Sequence, residues 1–487
     1  MKSPLHIPAS RIYRALGPLG RVISVFARKN PGLVLAGGIV RDAIQGVASK
    51  DIDIAVEKGS AMSAGKRFAD MTGGALVVLG REKLARVHVG ESMVDFTPLR
   101  AKTLEADLRL RDFTVNSMAV RLPFGRSAEI IDPNNGMRDY RARLVRACGP
   151  RAFHDDPVRL WRAVRFASRL SFRIEAGTRR RLKSESRLAI KCTPERLRDE
   201  LFRLLSLPKS ASALREALSS GLLMATFPGM KPMLSVPSHH AGAIDVMEHT
   251  LEAMEYLDRA LARPALVFTR DGREAASHLG EELVKGRSRA ALLRLALLFH
   301  DISKPETITS EPGGVVHFYE HERRGADKAG EVMRKRLRMG EDEVEAVTRV
   351  IRLHLRMGHL ASAGEFTDRA VFRFLKAAGN EFFEVLMHAH ADRLATHHRK
   401  AAPFRELART VSRVLAARRK MASRVPRKRY LDGNEVMKEL GLKPGPQVGE
   451  VLRAVEEAVA VGAARNRGQA LRVAREALDR SRRQVIS

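Results

Sequence analysis

The hydrophobic pattern of this 487-residue chain changes period near residue 150, and that change bounds what it can fold into. Before it, short β-rich runs at 33–36, 52–56, 75–79, 93–96 and 117–120 alternate with polar or helical stretches. After it, strand signals nearly vanish. Apolar residues recur at helical spacing in 157–170, 195–205, 245–260, 289–300, 341–355 and 448–461. A period of two puts alternate side chains on opposite faces of a strand, whereas steps of three and four gather them on one helix stripe. The expected fold class is α+β: a mixed α/β head over 1–150, then an all-α neck over 151–235, body over 236–415 and tail over 416–487. Pro, Gly and scattered charges in 263–289 predict a surface excursion, and the basic stretch 418–429 around Pro426 predicts a joint before the tail.

Lys and Arg number 87 against 56 Asp and Glu, a formal charge of +31 spread along the chain, as in Arg179-Arg180-Arg181-Leu182-Lys183. Such an excess favours a polyanionic partner over a neutral metabolite alone. Cys148 and Cys192 stand far apart with no C-x-x-C spacing, so neither a disulfide framework nor a zinc-thiolate site is indicated and a reducing compartment is expected. Charges and prolines interrupt the N-terminal segment where a signal peptide would be apolar, and no run approaches ~20 apolar residues. A cytoplasmic protein without membrane association is the expectation.

The run Leu35-Ala36-Gly37-Gly38-Ile39-Val40-Arg41-Asp42 reads as a strand, a glycine turn and a helix start, a geometry that serves a phosphate or simply makes a tight turn. Asp51 and Asp53 follow in Lys50-Asp51-Ile52-Asp53-Ile54-Ala55. Residues i and i+2 of a strand share a face, so these acids can hold one or two divalent cations while Ile52 and Ile54 face the core. That arrangement suits two-metal phosphoryl transfer. Val94-Asp95-Phe96 supplies a third candidate acid with the same apolar flanks, and three acids on adjacent strands are unfavourable without cations.

This ordered set resembles the nucleotidyltransferase head of bacterial CCA-adding enzymes and poly(A) polymerases, within the DNA polymerase beta superfamily. Further matches follow in order over residues 31–205. Arg111-Asp112-Phe113-Thr114-Val115-Asn116 is similar to the family's RRDFTIN motif, and Asp132-Pro133 through Gly136 and Asp139 to its DPxxGxxD segment. Asp155-Asp156-Pro157-Val158-Arg159 is similar to its EDxxR motif, and Glu195-Arg196 with Glu200-Leu201 to its last. The resemblance implies Mg2+ on catalytic Asp51 and Asp53 with Asp95 as a third acid, and a triphosphate held by Gly37, Gly38 and Arg41. It implies that Arg111 and Asp112 belong to the motif that checks the ribose 2′-hydroxyl, with Asn116 also binding the nucleotide, and that Asp156 and Arg159 hydrogen-bond the incoming base in place of a template. Arg162 and Arg165, on the same helical face as Arg159 and Arg169, are expected at the nucleotide, at RNA phosphates or in solvent. Asp156 before Pro157 is equally a good helix N-cap. The chain departs from the family at Leu110, where an Arg is usual, and at Asp155, where a Glu is usual.

A second constellation lies in the helical part. His249, His300-Asp301 and Asp392 resemble the HD phosphohydrolase pattern, with His321 and His354 as further ligands of a divalent metal of unspecified identity. The common HDxGK reads His300-Asp301-Ile302-Ser303-Lys304, losing only the glycine. His388, His390, His397 and His398 are expected to be solvent-facing or supporting. The resemblance implies addition of CMP and AMP from CTP and ATP to tRNA 3′ ends, with the tail binding tRNA. Specialised CC-adding, A-adding or poly(A)-adding activity stays open, as does an RNA-binding head coupled to an HD phosphohydrolase acting on RNA 3′ ends or cyclic phosphates.

Overall fold

The computed structural model describes residues 5–79, 84–239, 243–312, 316–362, 367–396, 401–424 and 429–486. The chain gathers into two compact units, Met1–Glu200 with Ala213–Thr226, and Leu201–Ser212 with Phe227–Ser487. Among the described residues no helix is long and apolar enough to cross a membrane.

The first unit is built on a six-stranded sheet of β1 (Leu33–Ala36), β2 (Asp51–Val56), β3 (Ala75–Leu79), β4 (Leu84–Val89), β5 (Ser92–Pro98) and β6 (Ala119–Arg121), in the order β3-β4-β5-β2-β1-β6. Only β2 and β5 run parallel; the other neighbours are antiparallel. Ile52 and Ile54 of β2 and Val94 and Phe96 of β5 are buried in the core, as their alternation with Asp51, Asp53 and Asp95 requires. Phe96 joins Phe26 and Phe68 in a ring cluster with centroids 5.1–6.0 Å apart. Helix α1 (Gly38–Gln45) follows β1, and α2 (Ala61–Thr72) starts at Ser60, whose hydroxyl accepts from the Ser63 N–H. Further along, α3 (Arg159–Leu170) seats Trp161 fully inside, its indole N–H donating to Thr226 Oγ1 at 3.1 Å.

Among its described residues the regular structure of the second unit is helical apart from short hairpins. Helix α4 (Val246–Ala262) is capped by Asp245 and α5 (Arg289–Phe299) by Ser288; α6 (His321–Leu337), α7 (Glu341–Leu353) and α8 (Phe382–Thr396) follow. The apolar run of α5 is buried on every side, consistent with a helix at the centre of a bundle. Near the C-terminus, Leu431, Val436, Val451, Ala470 and Leu478 form a separate small core, entered through an Asp432–Glu435 capping box.

Two expectations need correction, and a third needs it in part. β4 was not foreseen, although Leu84-Ala85-Arg86-Val87-His88-Val89 alternates; Ala85 and Val87 are buried while Arg86 faces the other side. The stretch 263–289 is no excursion: its helices Ala265–Phe268 and Gly272–Gly280 bury Val267, Phe268, Ala275 and Leu279, and Phe268 meets the Phe383 ring at 5.2 Å. Apolar burial outweighs the local Pro and Gly signals there. The basic stretch expected as a joint is helical through Arg424, in Ala401–Arg424, with Arg418 and Arg419 paired to Glu274 and Asp271; residues 425–428, including Pro426, lie outside the described residues.

Phe268→Ala is expected to destabilise the second unit by about 3–5 kcal/mol, whereas Leu266→Ala, at a side chain 61% exposed, should change it by less than about 0.5 kcal/mol. Equal small shifts of the denaturation midpoint in the two variants would restore the excursion reading.

Candidate active site

The parallel register of β2 and β5 pairs Asp53 with Asp95. Asp51, one alternation away on β2, is exposed, and Asp53 lies at the boundary of the core. Burial, followed by the charges of Asp95 and Asp51, pushes the Asp53 carboxyl up to about 6, against the opposing pull of Arg111 and Arg162. An all-oxygen donor pair whose charge is held back in this way fits a divalent cation such as Mg2+. Asp95 is differently placed: Arg86, opposite it in the antiparallel register of β4 and β5, donates Nε to Oδ1 at 2.8 Å and Nη2 to Oδ2 at 2.7 Å. The third acid thus stands beside the pair with both oxygens held by a guanidinium fork.

The glycine turn presses directly on this group. Gly37 has φ +89°, and a Cβ there would lie 2.8 Å from Arg111 Nη1 and 3.4 Å from Asp53 Oδ2. Beside Asp53 opens a cavity of about 210 Å³ lined by Leu84, Thr97, Pro98, Arg100, Asp107 and Arg111. Asp107 lies 3.5 Å from both Arg100 and Arg111, which brings two cations to the mouth of an acidic site. Nothing in the sequence singled out Arg100.

Beneath the turn runs a chain of buried polar side chains. Arg41 donates to Asp42 at 3.0 and 2.6 Å and to Asn116 Oδ1; Asn116 Nδ2 reaches Asp112 at 3.4 Å; Asp112 accepts the Phe113 N–H at 2.7 Å and pairs with Arg162 at 2.8 Å. Burial opposes charge on Asp112, but Arg162, the Phe113 N–H, Arg159 and Asn116 outweigh it and hold the carboxyl below its usual range. Arg41, expected at the triphosphate, is buried against Asp42 and Asn116, and Arg165, expected at the nucleotide, at RNA phosphates or in solvent, pairs with Glu200 at 2.6 Å while stacking on Phe166. Motif arginines here hold other motif residues in place. Asp132 likewise accepts the Gly136 and Met137 N–H groups, anchoring the start of helix Gly136–Arg141.

Asp156 and Arg159 are brought together, Arg159 Nε lying 3.8 Å from Asp156 Oδ2. Asp156 is also gripped by Arg196, whose two terminal nitrogens donate at 2.9 and 2.7 Å. Arg196 was visible only as part of a motif; its partner became visible on folding. Arg159 donates to the Leu110 carbonyl at 2.9 Å, so the departure at Leu110 leaves that backbone contact intact.

In the second unit the expected histidines and acids converge. His249 Nε2 lies 2.8 Å from Asp392 Oδ1, His300 Nε2 lies 3.1 Å from Asp301 Oδ2 and 3.5 Å from Asp392, and His321 Nε2 lies 3.5 Å from Asp301 Oδ1 and 3.3 Å from His354 Nε2. Two triads, His249–His300–Asp301 and Asp301–His321–His354, share Asp301. The Nδ1–H groups of His300, His321 and His354 donate to the carbonyls of Leu297, Phe318 and Ile351, which leaves each Nε2 for the interior. Among the described residues the buried Asp301 oxygens and His300 Nε2 lack well-formed hydrogen bonds, although Lys304 Nζ approaches Asp301 at 2.7 Å. Burial, then the charges of His300 and His321, drives His354 down to about 3, keeping it a neutral imidazole. This donor set fits a divalent metal. His388 and His390, expected in solvent or supporting, are both buried; His397 and His398 lie outside the described residues.

Gly37→Ala should cut nucleotide transfer at least about 100-fold, the loss expected when catalytic positioning shifts by an ångström, with the circular dichroism spectrum unchanged. Wild-type turnover in this variant would remove the turn from the site.

Residues 33–146 match the family described as Poly A polymerase head domain, and 171–234 the one described as the probable RNA and SrmB-binding site of polymerase A. The A-adding tRNA nucleotidyltransferase of Deinococcus radiodurans is 33% identical over 442 residues, covering 89% of this chain and 92% of that protein. The CC-adding tRNA nucleotidyltransferase of Geobacter sulfurreducens is 31% identical over 464 residues, covering 93% and 94%. A solved CCA-adding enzyme in complex with ATP has the same fold, with a TM-score of 0.66 at 22% identity over 97% of both chains. With its acid pair, glycine turn and ordered motifs, the chain belongs to the tRNA nucleotidyltransferase family.

Proposed function

We propose that the protein adds CMP and AMP from CTP and ATP to the 3′ ends of tRNA, without a nucleic-acid template. The observation that carries this is the Asp51–Asp53 pair set against the Gly37 turn, with Arg111 and Arg100 lining the adjoining cavity. Mg2+ on Asp51 and Asp53 would supply the charge needed for attack by the RNA 3′-hydroxyl and departure of pyrophosphate. Gly37 and Gly38 let a triphosphate approach the backbone, and Arg111 and Arg100 offset its charge. Arg41 and the Asp112–Arg162 pair hold this surface from below. Asp156 and Arg159 offer one acceptor and one donor fork, the complement of a base edge, with Arg196 sharing Asp156 until the base arrives. In this reading 1–150 is the catalytic head, 151–235 the neck that selects the base, 236–415 the HD-type body and 416–487 the tRNA-binding tail. The cytoplasm, where tRNA, CTP and ATP meet, is the proposed location.

The relatives' names span A addition and CC addition, so the extent of synthesis is read by experiment. Three labelled tRNAs, ending before CC, after C and after CC, are incubated with CTP and ATP singly and together. Completion of all three to CCA and no further is the expected result; stopping at CC, adding only the last A, or running into long A tails would each select a specialised activity. Asp51→Ala with Asp53→Ala should lower addition at least about 1000-fold, near 4 kcal/mol of transition-state stabilisation, and persistent addition would refute the acid pair.

A second reading concerns the second unit alone, and the two triads sharing a buried Asp301 favour it. We infer a metal-dependent phosphohydrolase there, acting on phosphomonoesters or cyclic phosphodiesters such as those at damaged RNA 3′ ends. Asp301→Ala should abolish release of phosphate from a 3′-phosphorylated RNA and opening of a 2′,3′-cyclic end, while tRNA extension continues. Hydrolysis surviving the substitution would sink this reading.

A further inference from the structure

Helix α8 carries two polar side chains one turn apart, His388 and Asp392. Spacing of four puts them on one helix face. Asp392 faces the histidine cluster, where it meets His249 at 2.8 Å. His388 has no exposed surface, yet among the described residues neither of its ring nitrogens has a hydrogen-bond partner. A neutral imidazole always presents one N–H donor and one lone-pair acceptor, and buried groups of this kind are nearly always satisfied. The ring packs against one histidine of each triad, 4.9 Å from His300 and 5.4 Å from His354 between centroids. Those two rings each lock Nδ1 on a backbone carbonyl, and His388 has no such lock. The His300 and His354 rings are themselves 5.3 Å apart, so the three imidazoles form one packed triangle, and its unpartnered member is the candidate for one more donor.

We propose that His388 is a direct ligand of the metal centre in the second unit, and that with it the centre is built for a borderline divalent transition ion instead of Mg2+. This rests on reading that unit as a metal centre. The two triads supply four imidazoles and Asp301, Asp392 joins them at 2.8 Å from His249 and 3.5 Å from His300, and His388 would add a fifth imidazole. Imidazole nitrogen suits ions such as Fe, Co, Ni, Cu and Zn, whereas Mg2+ takes oxygen donors and gives up water reluctantly. The head offers the opposite chemistry, with carboxylates alone. One chain then carries two sites selective for different classes of cation.

The test uses the full-length protein, stripped of metal with a chelator and loaded with Co2+, whose visible absorption reports nitrogen ligation. Metal per chain is counted by mass spectrometry after desalting, in the presence of excess Mg2+. Wild type should retain Co2+. His388→Gln, similar in volume, should lose at least about tenfold in Co2+ affinity and change the absorption spectrum. His388→Ala should do the same and recover the wild-type spectrum when free imidazole is added. Circular dichroism and thermal unfolding check that each variant is folded, so that a loss reports ligation. Unchanged affinity and spectrum in both variants overturn the ligand assignment, and displacement of Co2+ by Mg2+ overturns the metal class. If wild type itself retains no more ion than Asp301→Ala, the metal centre fails as a whole.

Discussion

The parallel pairing of β2 with β5 is the constraint on which the head depends. Because side chains alternate along a strand, one register sends Ile52, Ile54, Val94 and Phe96 into the core and stations Asp53 beside Asp95 on the other face. A slip of one residue would bury the acids and expose the core set, so apolar packing enforces the position of the chemistry. The same pairing creates an electrostatic problem, since carboxylates on neighbouring strands repel in a site poor in water. Two devices answer it. Arg86, opposite Asp95 on β4, pairs with the third acid and offsets part of its charge, and the charge that still raises Asp53 leaves the Asp51–Asp53 pair for a cation.

How the arginines are used follows from that arrangement. A net charge of +31 suggests a surface devoted to RNA, but the arginines of the motifs are paired with neighbouring polar side chains, and Arg41 and Arg165 are buried. Arg41 holds Asp42 and Asn116, Arg162 holds Asp112, Arg165 holds Glu200 and Arg196 holds Asp156. A planar guanidinium with fixed donors can brace a carboxylate against rotation, which a lysine cannot do as well. Fixing the ligand-facing groups through paired neighbours limits the reorganisation left for the moment of reaction.

The second unit solves a different problem with the same economy. Its acids and histidines sit deep inside a helical bundle, where charge is disfavoured unless paired or ligated. Three imidazoles are aimed inward by carbonyls within their own chain segments, three residues earlier in each case, so local backbone geometry supplies the orientation that a metal site needs.

The amino-acid sequence by itself determined much of this protein. The change of period near residue 150, the alternation around Asp51 and Asp53, and the glycine pair after an apolar run marked the head. The order of His249, His300, Asp301, His321, His354 and Asp392 pointed to a second centre only through its resemblance to the HD pattern. Each of those signals is local, because strand alternation, helix spacing and turn chemistry are set by a few adjacent residues. Other features became legible only in the tertiary structure: Arg86 on Asp95, Arg196 on Asp156, the inward turn of Arg41 and Arg165, the burial of 263–289 and the interior position of His388. In each case the partner is remote along the chain, belongs to a different element, or depends on which face of a helix is covered. Packing makes that choice over the whole core, and no local period encodes it.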